Sequence, residues 1–116
     1  MPNKKIGFLI KQVFYLHEQH LNKQFSKFGL TASQTFTLIY LFKSHDKGIS
    51  VNQKDIEKEL DISNPTVTGI LNRLEVKGLI TRVPCRHDAR AKNIEVTEKA
   101  LELDKQLRIV FQQSDE

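Results

Sequence analysis

One change of period organises this sequence. Up to Gly78 the apolar residues recur at helical spacing. Directly after it, two short alternating runs, 79–83 and 93–97, flank a polar and basic loop. Apolar residues three and four apart share one face of a helix, whereas alternation marks one face of a strand. Two alternating runs around a polar loop make a β-hairpin. A mostly α fold carrying one small hairpin is therefore expected. The 116 residues suffice for one domain, 1–116, with a modest core.

The helical part divides at recognisable stops. Residues 6–28 carry Ile6, Leu9, Ile10, Val13, Phe14, Leu21, Phe25 and Phe28, with Leu16 adding a second side. A helix apolar on more than one side needs more than one neighbour to cover it, and Gly29 ends it. Thr31 with Gln34 forms a capping box, opening a helix with Phe36, Leu38, Ile39, Leu41 and Phe42 that is expected to be the most buried. Lys47-Gly48 closes the connection after it. Ile49-Ser50-Val51 alternates and is expected to be a brief strand. Asn52 caps a helix over 53–60, with Ile56 and Leu60 inward. After the tight connection Asp61-Ile62-Ser63, Asn64 is expected as the N-cap and Pro65 as the first residue of a helix reaching Lys77. Thr97 caps a last helix with Ala100, Leu103, Leu107, Val110 and Phe111 on one stripe.

Two short helices joined by a few residues form a helix-turn-helix, whose second helix buries one face and presents the other to a major groove. Residues 64–77 suit that role. Val67, Ile70, Leu71 and Leu74 form the inward face. Thr66, Gly69 and Arg73 fall on the other side, with Thr68 and Asn72 beside them. This outer face has neither bulk to block a groove nor a carboxylate to repel phosphate. Ser63, Asn64 and Pro65 lie at the helix N-terminus, where free N–H groups suit a phosphate. An ordinary amphipathic surface helix would carry Glu and Lys outside; Thr, Gly and Asn are poor helix formers there.

Charge points the same way. The formal net charge is +4, and every arginine except Arg108 lies between Gly69 and Lys92. Arg73, Lys77, Arg82, Arg86, Arg90 and Lys92 are opposed there only by Glu75 and Asp88. Arginine suits bidentate contact with phosphates and guanine edges, although by composition alone an Arg-rich solvated surface would look the same. A basic hairpin tip can reach a narrow minor groove. Asp88 can pair with Arg86 or Arg90 and fix its orientation.

Residues 30–101 resemble the MarR family of bacterial regulators. The matching stretches are 30–34, 53–60, 64–80 and 88–92, the last followed by Val96-Thr97-Glu98-Lys99; their joint order and spacing carry the match. The resemblance implies a winged helix-turn-helix core over 30–97, flanked by dimerisation helices over 1–29 and 98–116. It implies a cytoplasmic bacterial homodimer on pseudo-palindromic double-stranded DNA operators, usually a repressor. The helix 64–77 would read the major groove, and the wing 84–93 would place Arg90, held by Asp88, in the minor groove. The expected DNA contacts are Ser63, Asn64, Pro65, Thr66, Thr68, Asn72, Arg73, Arg86, Asp88, Arg90 and Lys92. A small-molecule effector is a further partner whose identity the sequence does not give. Family members usually continue into another C-terminal helix, and this sequence stops at Glu116, soon after the first.

Other classes find little support. No apolar run is long enough to span a bilayer. Lys11, His17 and Glu18 break up the N-terminal apolar stretch, so no signal peptide is read. Cys85 is the sole cysteine, which fits a reducing compartment and reads as an incidental thiol. His17 and His20 are two potential ligands without a third, so neither a metal nor a cofactor is expected. No nucleophile–base pair, carboxylate dyad or phosphate-cradling loop suggests an enzyme. The alternative is a winged-helix protein-interaction module without sequence-specific DNA binding; the arginine-bearing wing argues against it. Surplus apolar surface on the first and last helices is itself a reason to expect a homodimer.

Overall fold

The computed structural model describes residues 25–85 and 91–115, with side chains as far as 109. A 3-10 turn, Ser26–Phe28, precedes α1 (Ala32–Asp46), α2 (Gln53–Leu60), α3 (Asn64–Val76), the strands β1 (Ile80–Pro84) and β2 (Lys92–Val96), and α4 (Glu98–Asp115). The long first helix expected over 6–28 falls mostly outside the described residues; its end at Gly29 lies within them, as a left-handed residue closing the 3-10 turn.

Central to the domain is α1, which packs on α2, α3 and β2. Its capping box is formed: Gln34 N–H donates to Thr31 Oγ1 at 3.2 Å, and Thr31 N–H donates to Gln34 Oε1 at 3.4 Å. Leu38, Leu41 and Phe42 are buried as expected, while Phe36 and Ile39 are half-buried. Phe36 packs edge-on to the buried Phe25, centroids 6.1 Å apart. Thr35 and Thr37 are fully buried as well. Their hydroxyls donate to the carbonyls of Thr31 and Ser33 one turn back, at 2.9 and 2.8 Å, which removes the cost of burying them.

The helix pair follows the expected plan with one correction. A capping box also opens α2, between Asn52 and Asp55, both bonds 2.9 Å. Asp61, left-handed at φ 53°, ends the helix and turns the chain. The N-cap of α3 is Ser63, not Asn64, so Pro65 sits one position further into the first turn. It is still accommodated, because the first N–H groups of a helix have no partner inside it. Asn64 is drawn away from capping: its side-chain Nδ2 donates to Glu57 Oε2 on α2 at 2.8 Å.

The end of α3 decides how the hairpin leaves it. Gly78 has φ 75°. Gly78 N–H donates to Glu75 O at 2.9 Å and Leu79 N–H to Leu74 O at 3.0 Å. This pair of bonds is the Schellman motif, which requires a left-handed residue at its turn. Leu79 is thus spent on closing the helix, and β1 begins at Ile80 rather than 79. The strands are antiparallel, with Ile80 opposite Val96 and Arg82 opposite Ile94. The expected strand over 49–51 is reduced to a bridge between Asn52 and Asn93, with Ile94 N–H donating to Val51 O at 2.7 Å. Asn52 is already committed to capping α2, so the strand cannot extend. Thr97 then performs two tasks: its hydroxyl donates to Gly78 O at 2.7 Å and accepts from Ala100 N–H at 3.2 Å.

One core joins all these elements, from Phe25 and Leu30 through Ile56, Leu71 and Ile80 to Ala100 and Leu107. Leu107 is only 2% exposed, so it belongs to the chain's own interior and not to an uncovered stripe. Leu103 is half-buried, and the side chains of Val110 and Phe111 lie outside those described.

Gly78→Ala tests the closure of α3. An added Cβ would have room, the nearest atom being Lys99 Cδ at 3.8 Å. The penalty is therefore conformational, about 1–2 kcal/mol for forcing an L-residue into the left-handed region. Denaturant titration should show that loss with an unchanged slope; an unaltered midpoint would contradict the motif.

Candidate nucleic-acid interface

The orientation of α3 is set by what it buries. Val67, Leu71 and Leu74 are fully buried and Ile70 nearly so. With these four facing the core, Ser63, Asn64, Pro65, Thr66, Asn72 and Arg73 are exposed together. Gly69 lies among them, and the Arg73 side chain folds back along the helix, its Nη1 3.3 Å from where a Gly69 Cβ would stand. The outer face is accordingly low and mainly polar, with Val76 exposed at its C-terminal end. Ser63 and Thr66 share a hydroxyl bond of 3.0 Å at its N-terminal end.

Two neighbouring elements brace this face. From α2, Gln53 Nε2 donates to Thr68 Oγ1 at 2.8 Å, so Thr68 is half-buried rather than free. From β1, Arg82 Nη2 donates to Asn72 Oδ1 at 2.7 Å. Arg82 Nε is 3.8 Å from Glu75 Oε1, and it is buried without a hydrogen-bond partner among the described residues. Sequence reasoning counted Arg82 only as a basic residue and passed over Gln53 and Glu57. For Arg82 a signal existed. It is two residues after the buried Ile80, hence on the inward face of its strand, where a cation needs a partner.

The cations of the basic stretch divide into two groups. Arg73 and Lys92 are exposed beside the helix and on the hairpin. Lys77 is spent internally: its ammonium donates to Gly29 O and, at 2.7 Å, to Gln34 Oε1. Burial lowers its pKa, and the nearby Arg73 guanidinium lowers it further. The bond to Gln34 fastens the C-terminal end of α3 to the cap of α1, and Lys99 Nζ adds a 2.7 Å bond to Lys77 O from α4. Arg86, Asp88 and Arg90, the expected wing tip, lie outside the described residues, as do His17 and His20. Leading up to that tip, Cys85 N–H donates to Ala91 O at 2.9 Å and its thiol to Asn93 Oδ1 at 3.2 Å. Elsewhere, a mainly apolar cleft of about 510 Å³ lies between Phe28, Leu79 and Leu103, rimmed by Lys99 and Glu102. Among the described residues no helix is long and apolar enough to cross a membrane.

Residues 28–91 match the family model described as the MarR family. The HTH-type transcriptional regulator PecS of Dickeya dadantii (strain 3937) is 32% identical over 102 residues, which are 88% of this chain. The chain spans about 60% of the length of that curated relative. Among solved structures, S. aureus MepR in its DNA-binding conformation superposes with a TM-score of 0.77 at 30% identity, covering 93% of this chain and 77% of MepR. The S. aureus MepR–DNA complex gives the same four values.

The low outer face has a cost that can be measured. Glycine inside a helix is worse than alanine by about 0.5–1 kcal/mol, and only the mobile end of Arg73 crowds a Cβ at position 69. Gly69→Ala should therefore raise the unfolding free energy by up to about 1 kcal/mol, and the midpoint with it. A lowered midpoint would mean that Gly69 serves the fold and not the contact face.

Proposed function

The chain belongs to the MarR family of winged helix-turn-helix proteins, and we propose that it is a sequence-specific double-stranded DNA-binding regulator of transcription that acts as a repressor in the cytoplasm. The observation that carries this reading is the outer face of α3. It is low and mainly polar, with Asn64, Thr66, Asn72 and Arg73 exposed around the half-buried Gly69, and it is braced from two sides. It enters the major groove, while Ser63, Asn64 and Pro65 bring the helix N-terminus to a phosphate. Lys92 follows the backbone along the wing. Arg86 and Arg90 extend into the minor groove, and Asp88 fixes the arginine that reads it. That MepR, a protein of the same fold, is known in complex with DNA supports the assignment.

Two copies on a dyad read half-sites about 10 bp apart. The segments 1–29 and 98–116 join the copies, and the winged core 30–97 meets DNA. The apolar cleft beside Leu103 falls within the ~300–1,000 Å³ range of small-molecule sites and would house an effector.

Selection of bound sequences from random duplexes, at stated salt, tests the reading: a pseudo-palindrome is expected, and recovery of no motif would overturn it. Arg90→Ala should weaken binding to the selected duplex by ~1–3 kcal/mol, and Asp88→Ala by less; an unchanged affinity of a folded Arg90→Ala variant would remove the wing from the interface. Replacing Thr66, Thr68 or Asn72 should alter base preference more than non-specific affinity.

Assembly has its own measurement. Sedimentation should show a dimer at micromolar concentration. Leu107 is unsuitable for disrupting it, because Leu107→Asp would place a charge in the core. Ile109, 55% exposed on the same helix, is the better site. Ile109→Asp should shift the chain toward monomer and weaken operator binding. A monomeric parent that holds a half-site at full affinity would refute the dimer.

A further inference from the structure

Asn72 does not face a ligand as a free amide. Arg82 Nη2 donates to its Oδ1 at 2.7 Å. A guanidinium can only donate hydrogen bonds, so the amide oxygen must be the end turned toward β1, and the NH₂ group is the end left over. Arg82 has little freedom to release it. Its side chain is 23% exposed, springs from the inward face of β1 opposite Ile94, and has Glu75 on the other side with Nε 3.8 Å from Oε1. Asn72 itself is exposed on the outer face of α3.

We infer that Arg82 is a specificity-determining positioning residue: by occupying the acceptor of Asn72, it makes Asn72 a donor-only reader of the base edge it meets. This rests on the reading of α3 as the helix in the major groove. An unrestrained asparagine pairs with adenine through two bonds, accepting from N6 and donating to N7. Here the guanidinium covers the oxygen, and its positive charge repels the positive hydrogens of an amino group. The oxygen keeps a second lone pair, but an amino group donating to it would sit beside the guanidinium charge, so the two N–H donors are what the amide offers the groove. In the major groove they match guanine, which offers O6 and N7, and thymine, which offers O4. Cytosine presents an amino group there and has nothing to accept with. Adenine keeps N7 but loses its second bond. The base opposite Asn72 is therefore a keto base, guanine or thymine, and the residue that enforces this never touches it.

The test is selection from random duplexes with the full chain and three variants, Asn72→Ala, Arg82→Met and Arg82→Lys, with unfolding midpoints to establish that each is folded. Methionine keeps the apolar stem of Arg82 but ends short of the guanidinium and carries no donor; lysine keeps a donor. In the parent, one position of each half-site should be guanine or thymine, and Asn72→Ala should flatten that position alone. Arg82→Met should admit adenine there, raising it on the order of tenfold against the keto bases, and Arg82→Lys should stay close to the parent. A merely structural role for Arg82 would lower all affinities together and leave that position as it was. Adenine at the Asn72-dependent position of the parent overturns the inference, even if no Arg82 variant folds. So does a selected motif indifferent to Asn72, or a folded Arg82→Met variant with the parental profile; the DNA reading of α3 survives all three. A parent that selects no motif overturns that reading, and this inference with it.

Discussion

Everything outward in this domain depends on the burial of one helix face. Val67, Ile70, Leu71 and Leu74 are withdrawn from water almost completely, each stabilising the fold by roughly 1.5–3 kcal/mol relative to exposure. Turning α3 about its axis would expose several of them at once. The core thus fixes the rotation of the helix, and with it which residues stand on the opposite side. A contact face made of Thr, Gly and Asn has no strong preference of its own. It is held in place by what lies beneath it.

Rigidity is added at the ends of α3 by bonds that cross between elements. Lys77 ties its last turn to Gly29 and to the cap of α1. Thr97 joins Gly78 to the start of α4. Arg82 joins the hairpin to Asn72. Helix, strands and final helix are thereby tied to one another around α3. On the far side Arg108 of α4 pairs with Asp46 at the end of α1 and with Asp104 one turn back on its own helix, both at 3.1 Å. Arg108 and Asp46 are both mostly exposed, so this pair is a weak restraint.

Much of this was legible in the sequence because it rests on local chemistry. Thr31 with Gln34, Asn52 and glycines 29, 48 and 78 mark ends through side-chain caps and positive φ, and the apolar spacing of α3 names its buried face. What was not legible depended on contacts distant in sequence. Asn64 has the chemistry of a cap, and nothing local reveals Glu57, seven residues earlier, as the partner that draws it away. The strand over 49–51 was overestimated because its last neighbour, Asn52, was already engaged by α2. Leu107 sits on the apolar stripe of α4, and periodicity alone does not separate a residue that the fold buries from one left uncovered. In the candidate site the exposed residues of α3 were found by periodicity alone. The partners Gln53 and Arg82, which decide how Thr68 and Asn72 are presented, were not, since a polar residue on a neighbouring element leaves no periodic trace.

Geometry and charge together make the central claim one of selective attraction to duplex DNA. It is tested most directly by affinity for a selected duplex and for a scrambled one of equal length, measured across a salt series. Each neutralised phosphate releases condensed counterions, so log K should fall linearly with log salt for both duplexes, by about 0.9 per contact. At fixed salt the selected duplex should bind at least about 10³-fold more tightly. Equal affinities at every salt concentration, or binding that ignores salt, would contradict the account.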